Sequence, residues 1–134
     1  MNCNEDCSCI KSTLHTILEL QKKCGRIENI LESCDRPFLG ESPICDNVNT
    51  RPFNLFTCSD FNMWELPYTT ECSEGSSSVF RIEALDGCCA TCRVLAPNPR
   101  KCKNPYIATN SFFTINLNCV GAIKCLPDTE IECI

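Results

Sequence analysis

The sequence predicts a mainly β domain, an antiparallel β-sandwich or small barrel of about seven short strands preceded by an N-terminal α-helix. Three observations carry this reading. Prolines at positions 37, 43, 52, 67, 97, 99, 105 and 127 cut the chain into short runs rich in Phe, Ile, Val and Thr, the texture of strands and turns. Apolar residues recur at three- and four-residue steps only ahead of the first proline. An Asp86-Gly87 pair is the preferred dipeptide of a two-residue hairpin turn.

Residues 1–9 read as a short, polar, flexible arm carrying Cys3, Cys7 and Cys9. A single domain is expected over residues 10–134, with a helix over 10–33 and a β domain over 36–134. Ile10, Leu14, Ile17, Leu18 and Cys24 make the apolar stripe of the helix. Ser8 is its expected N-cap and Gly25 its expected C-terminal cap, with a further helical turn over Ile27–Leu31.

Strands are expected over Phe53–Cys58, Phe61–Leu66, Val79–Leu85, Cys88–Ala96, Tyr106–Thr109, Phe112–Asn118 and Val120–Leu126. The Asp86-Gly87 turn would set Leu85 opposite Cys88, Glu83 opposite Ala90 and Ile82 opposite Thr91. Val120 to Ile123 is apolar or small on both faces, which places Ile115–Leu126 in central core strands, with Gly121 marking a bulge or bend.

Fifteen of the 134 residues are cysteine, a share that marks a disulfide scaffold or a metal-thiolate protein. The count is odd, so complete internal pairing is impossible. Cys89-Ala90-Thr91-Cys92 is the only CxxC, and on the expected strand its two side chains face opposite sides, which defeats chelation of one ion and the helical setting of a redox CxxC. The single histidine, His15, reads as a surface or helix-packing residue. No nucleophile elbow, phosphate loop or carboxylate pair accompanies it, so no enzyme, cofactor or small-molecule substrate is expected. A net charge of −5 argues against nucleic acid as a partner, and no apolar run reaches the length of a membrane helix. The start of the chain shows neither the basic region nor the apolar core of an export signal.

Cysteine chemistry used for construction remains. Cys3, Cys7 and Cys9 on the arm, with Cys133 near the C-terminus, are the candidates for disulfides between chains, because a flexible terminus reaches a neighbour without straining the domain. Cys58, Cys119 and Cys125 are the candidates for buried or intramolecular thiols. A thiol-rich metal-binding protein and a non-lattice assembly scaffold are the alternatives.

Several segments resemble the CotY/CotZ/ExsY family of cysteine-rich spore outer-coat and exosporium proteins. They are Arg36-Pro37-Phe38-Leu39-Gly40, Asn49 to Thr57, Phe80-Arg81-Ile82-Glu83, Cys89-Ala90 with Arg93-Val94-Leu95, and Ile115 to Leu126, the most specific of them. The resemblance implies a structural protein that self-assembles into an ordered, disulfide-linked layer. Its partners would be further copies and other coat or exosporium proteins, and it would be made in the mother-cell cytoplasm without a signal peptide. The chain departs from some members in lacking a histidine-rich N-terminus and in having only the short Pro97–Pro105 loop before its final strands.

Overall fold

The computed structural model describes residues 7–23, 48–71, 73–99 and 104–131. They form one helix, α1 (Ser8–Lys23), and the strands β1 (Phe53–Thr57), β2 (Leu66–Thr69), β3 (Glu74–Ser77), β4 (Phe80–Asp86), β5 (Cys89–Pro97), β6 (Tyr106–Asn116) and β7 (Val120–Cys125). The main sheet has five antiparallel strands in the order β6-β5-β4-β1-β7, and β2 and β3 form a separate hairpin. The fold is thus mainly β with an N-terminal helix, as expected, and the main sheet is not closed into a barrel. Residues 24–33, with the expected cap Gly25, lie outside the described residues.

One face of the sheet holds the core. Phe53 and Leu55 of β1, Phe80 and Ile82 of β4, and Ala90, Cys92 and Val94 of β5 are buried at alternate positions. Leu14, Ile17 and Leu18 of α1 join them in one cluster, and Leu66 and Tyr68 of β2 pack against it. Phe80 meets the Phe113 ring edge to face at 4.9 Å between centroids.

Two polar anchors lock this packing. The buried Gln21 amide donates to the Ile82 carbonyl at 3.1 Å, and its oxygen accepts from the Arg51 N–H at 3.1 Å. The end of α1 is thereby tied to β4 and to the lead-in of β1, and a buried amide finds its partners. Arg51 donates from Nε to Asp128 Oδ1 at 2.8 Å and from Nη2 to Oδ2 at 3.1 Å. Both side chains of this forked pair are only 2% exposed.

The β4–β5 hairpin forms in a different register from the one expected. Its loop is Gly87-Cys88, closed by the Asp86↔Cys89 pair, and Gly87 takes a φ of +61°. A register shift at Glu83 then sets Ile82 opposite Cys92 and Phe80 opposite Val94. The expected register would have faced Ile82 with Thr91, so burial of a matched apolar row decided the outcome. Glu83 accepts hydrogen bonds from Arg81 Nη1 at 2.8 Å and Arg93 Nε at 3.1 Å.

Other strands also differ. Phe61–Leu66 is not a strand: Phe61 has a φ of +55°, and only Met63 bridges back to Phe56. The Asp60 carboxylate holds this turn by accepting from the Thr57 hydroxyl, which keeps its carboxyl below the ordinary value. The strand β3, Glu-Gly-Ser-Ser, was not expected because no residue in it favours a strand. It forms by pairing with β2, and Ser77 Oγ donates to the Leu95 carbonyl at 2.6 Å. The two strands expected over 106–109 and 112–118 are the single strand β6, irregular where Thr109 to Ser111 oppose Val94.

Ile115–Leu126 is not central. It contributes to the two edge strands, β6 and β7, joined by a 3-10 turn over Leu117–Cys119. Ile115 and Ile123 are half-buried, and Lys124 and Gly121 are exposed. Apolar residues on both faces of Val120–Ile123 reflect small side chains on an open face. That short connection shapes the sheet. Four flat strand spacings would separate β6 from β7 by about 19 Å, whereas four chain steps reach at most about 14 Å. The sheet therefore curls, with its edges drawn together at the end where β6 meets β7.

A bulge does fall at Gly121, since Phe56 pairs with Ala122 and Thr57 with Val120. A Cβ there would lie 2.7 Å from the Cys58 Cα and 3.0 Å from the Thr57 carbonyl oxygen. Gly121→Ala is expected to cost about 1–3 kcal/mol through this overpacking, read as a lower urea midpoint in non-reducing buffer with an unchanged m-value.

Candidate functional site

Cysteines gather around the β6–β7 connection. The Gly87-Cys88 turn and the start of β5 reach it from one end of the ladder, and the end of β1 reaches it from the other. The Leu117 N–H donates to the Cys88 carbonyl at 2.8 Å, and the Cys58 N–H donates to the Cys119 carbonyl at 3.1 Å. Cys89 pairs across the ladder with Asn116. The N-terminus of α1 reaches the same place, because Cys7 and Cys88 are disulfide-bonded with Cα atoms 6.1 Å apart. Cys7, Cys9, Cys58, Cys88, Cys89 and Cys119 thus share one pole.

The pole sorts these residues into two kinds. Cys7, Cys88 and Cys58 are disulfide-bonded, as is Cys125 at the far end of β7. Cys9, Cys89 and Cys119 are unbonded and exposed. Cys92 is unbonded but buried in the sheet, where loss of solvent, with a smaller contribution from the Glu83 charge, pushes its thiol up to about 12. Such a thiol stays protonated and inert.

Two expectations are corrected here. Cys7 is not a thiol reserved for another chain: it is buried against the β4–β5 turn and bonded within the domain. Cys119 is not a buried thiol, because the 3-10 turn puts Leu117 inside and leaves Cys119 exposed. Cys9 sits in the first turn of α1, which begins at Ser8, rather than on a loose arm. Cys3 and Cys133 lie outside the described residues. The role of Cys89 was missed. Its signal was its place beside a loop glycine, which fixes it at the sheet end once the register is known. No spacing rule reveals a bond across 81 residues.

Chemically, the pole offers exposed thiols on separate elements. Among the described residues, no three His, Cys, Asp or Glu side chains come together as ion ligands. Disulfide formation with another chain is the reaction this arrangement can perform, each bond joining two thiols with loss of two electrons to an oxidant.

A family model described as "Spore coat protein Z" matches residues 1–106. The match spans α1 through β5 and includes Cys7, Cys9, Cys58, Cys88 and Cys89, but stops before Ile115–Leu126. Comparisons with curated proteins and with solved structures found no match.

The sorting predicts a labelling pattern. Iodoacetamide at about pH 8 should modify Cys9, Cys89 and Cys119 in the native protein and spare Cys92 until denaturant is added, as read by peptide mass spectrometry. Cys92 also sets a pH dependence. It ionises near its ordinary 9.0 when unfolded and near about 12 when folded, so its contribution to stability is intact below pH 9 and is lost as pH rises through that window. Cys92→Ala should flatten that fall.

Proposed function

The chain belongs to the spore coat protein Z family, and from that premise we propose that its copies assemble into an ordered layer cross-linked through the outward thiols of the cysteine pole. Family membership gives the chain a structural role in the spore coat and a place at the spore surface. The layer, outer coat or exosporium, would contain further copies of the chain and other coat proteins.

One observation supports the cross-linking part of this reading. The domain already has disulfides of its own, yet it keeps Cys9, Cys89 and Cys119 exposed at one pole. Internal stability does not require those thiols, and exposed free cysteines are a liability in a protein that works alone. In a layer they become bonds to neighbours. Cys3 and Cys133 would add to them. Non-covalent contacts come first in this scheme, and oxidation then seals them.

Oxidised protein should give a ladder on non-reducing gels that collapses with reductant. A variant carrying Cys9→Ser, Cys89→Ser and Cys119→Ser should fold, with Cys7–Cys88 intact by peptide mapping, and lose most of the ladder. An undiminished ladder would reject the pole as the source of the cross-links.

A further inference from the structure

Two surface features have no partner within a single copy. The first is a knob. Among the described residues three large apolar side chains are exposed, and two of them, Phe61 at 61% and Met63 at 47%, stand together on the turn after β1. The turn is built to present them. Phe61 takes a φ of +55°, a conformation that a bulky residue rarely adopts and keeps only where its surroundings dictate it. Here the Phe61 N–H donates to the Thr57 carbonyl at 3.0 Å, the Thr57 N–H donates to the Asn62 carbonyl at 2.9 Å, and the Asp60 carboxylate accepts from the Asn62 amide at 2.8 Å. The result is an aromatic ring with one edge against Gly121 and most of its surface in solvent.

The second feature is a hollow of about 620 Å³ between the β2–β3 turn and one end of the β5–β6 ladder. Pro97, Pro99, Ile107 and Ala108 line it on the ladder side, Thr70 and Glu71 on the turn side. Glu71 is the one charged residue among the described ones that line it. Hydrogen bonds close both flanks, from the Thr70 N–H to the Ser73 carbonyl at 2.7 Å and from the Asn98 N–H to the Pro105 carbonyl at 2.9 Å, so the hollow is preformed. Its volume lies in the range of roughly 300–1,000 Å³ that holds a drug-sized ligand, which is room for an aromatic and a thioether side chain together.

Knob and hollow lie toward opposite ends of β6. The knob adjoins the β6–β7 connection beyond Asn116, where the Cys58 N–H meets the Cys119 carbonyl, whereas the hollow lies over Ile107 to Asn110. About 20–30 Å of strand separates them, so a copy cannot fill its own hollow. From this we infer that the Phe61–Met63 knob of one copy seats in the hollow of the next, as a head-to-tail contact. The inference rests on the layer-forming role proposed above and adds the contact that precedes oxidation. Charge favours a second copy as the occupant. Asp60 and Glu65 flank the knob, whereas Pro99 leads in the sequence into Arg100-Lys101-Cys102-Lys103, with three basic residues in four. Because knob and hollow are different patches, the contact does not close on itself. It extends copies into rows and delivers each cysteine pole to the far end of a neighbour.

The test keeps the full chain at about pH 6 without oxygen, so that thiols stay protonated, internal disulfides remain and no new ones form. Sedimentation should show association that grows past the dimer as concentration rises. Phe61→Gly removes the ring and suits the positive φ; Ala108→Phe fills the hollow from its own wall, and Glu71→Trp does so from an exposed position. Each variant that folds by circular dichroism should associate about tenfold or more weakly. A one-to-one mixture of Phe61→Gly with a hollow-filling variant should recover a dimer that grows no further, since one intact knob still meets one open hollow. A monomer at all concentrations, growth that stops at the dimer without substitution, association indifferent to Phe61→Gly or to both hollow-filling variants, or a mixture that stays monomeric would overturn the inference. A gel ladder on oxidation that survives such a result would keep the layer while rejecting this contact; loss of the ladder with association as expected would do the reverse.

Discussion

The three-residue turn Leu117–Cys119 is the constraint on which the rest of the structure depends. It joins strands at opposite edges of a five-stranded sheet, which the chain can do only if the sheet curls. Curling makes one face concave, and α1 packs into that concavity with Leu14, Ile17 and Leu18. It also draws the ends of β1 and β6 and the starts of β5 and β7 to one place. The cysteine pole is a by-product of that geometry, not of any sequence spacing.

The rest of the fold is fastened around this curl. In the chain-entropy view, a bond closing 81 residues removes about 4–5 kcal/mol of disorder from the unfolded state. Cys7–Cys88 does this while holding the start of α1 at the pole; Gln21 holds the other end of the same helix. The Arg51–Asp128 pair closes the opposite side by tying the segment after β7 to the lead-in of β1. A buried ion pair adds little net stability but penalises any arrangement that separates its partners, by about 3–5 kcal/mol. With the domain closed by these means, the exposed thiols are free for other chains.

Much of this was legible in the sequence. The proline-punctuated runs gave the β class, the apolar stripe gave α1, and Gly121 gave the bulge. What escaped was non-local. The register of the β4–β5 hairpin turned on which residues face α1, and a dipeptide preference carries no such information. The strand β3 has no strand-forming side chain and exists because β2 and Leu95 supply its partners. Cys7 and Cys119 exchanged roles for the same reason. Position along the chain makes Cys7 look free and Cys119 look interior, whereas the fold buries the first and turns the second outward.

The central claim is that one set of cysteines closes the domain and another joins chains. Isotope-mixed disulfide mapping tests it most directly. Equal amounts of ordinary and nitrogen-15-labelled protein are assembled together and oxidised, the layer is digested without reduction, and the linked peptides are weighed. The expected result is that Cys7–Cys88 peptides carry a single isotope, while linked peptides containing Cys9, Cys89 or Cys119 include mixed pairs. Mixed isotopes in Cys7–Cys88, or single isotopes throughout the peptides of Cys9, Cys89 and Cys119, would contradict it.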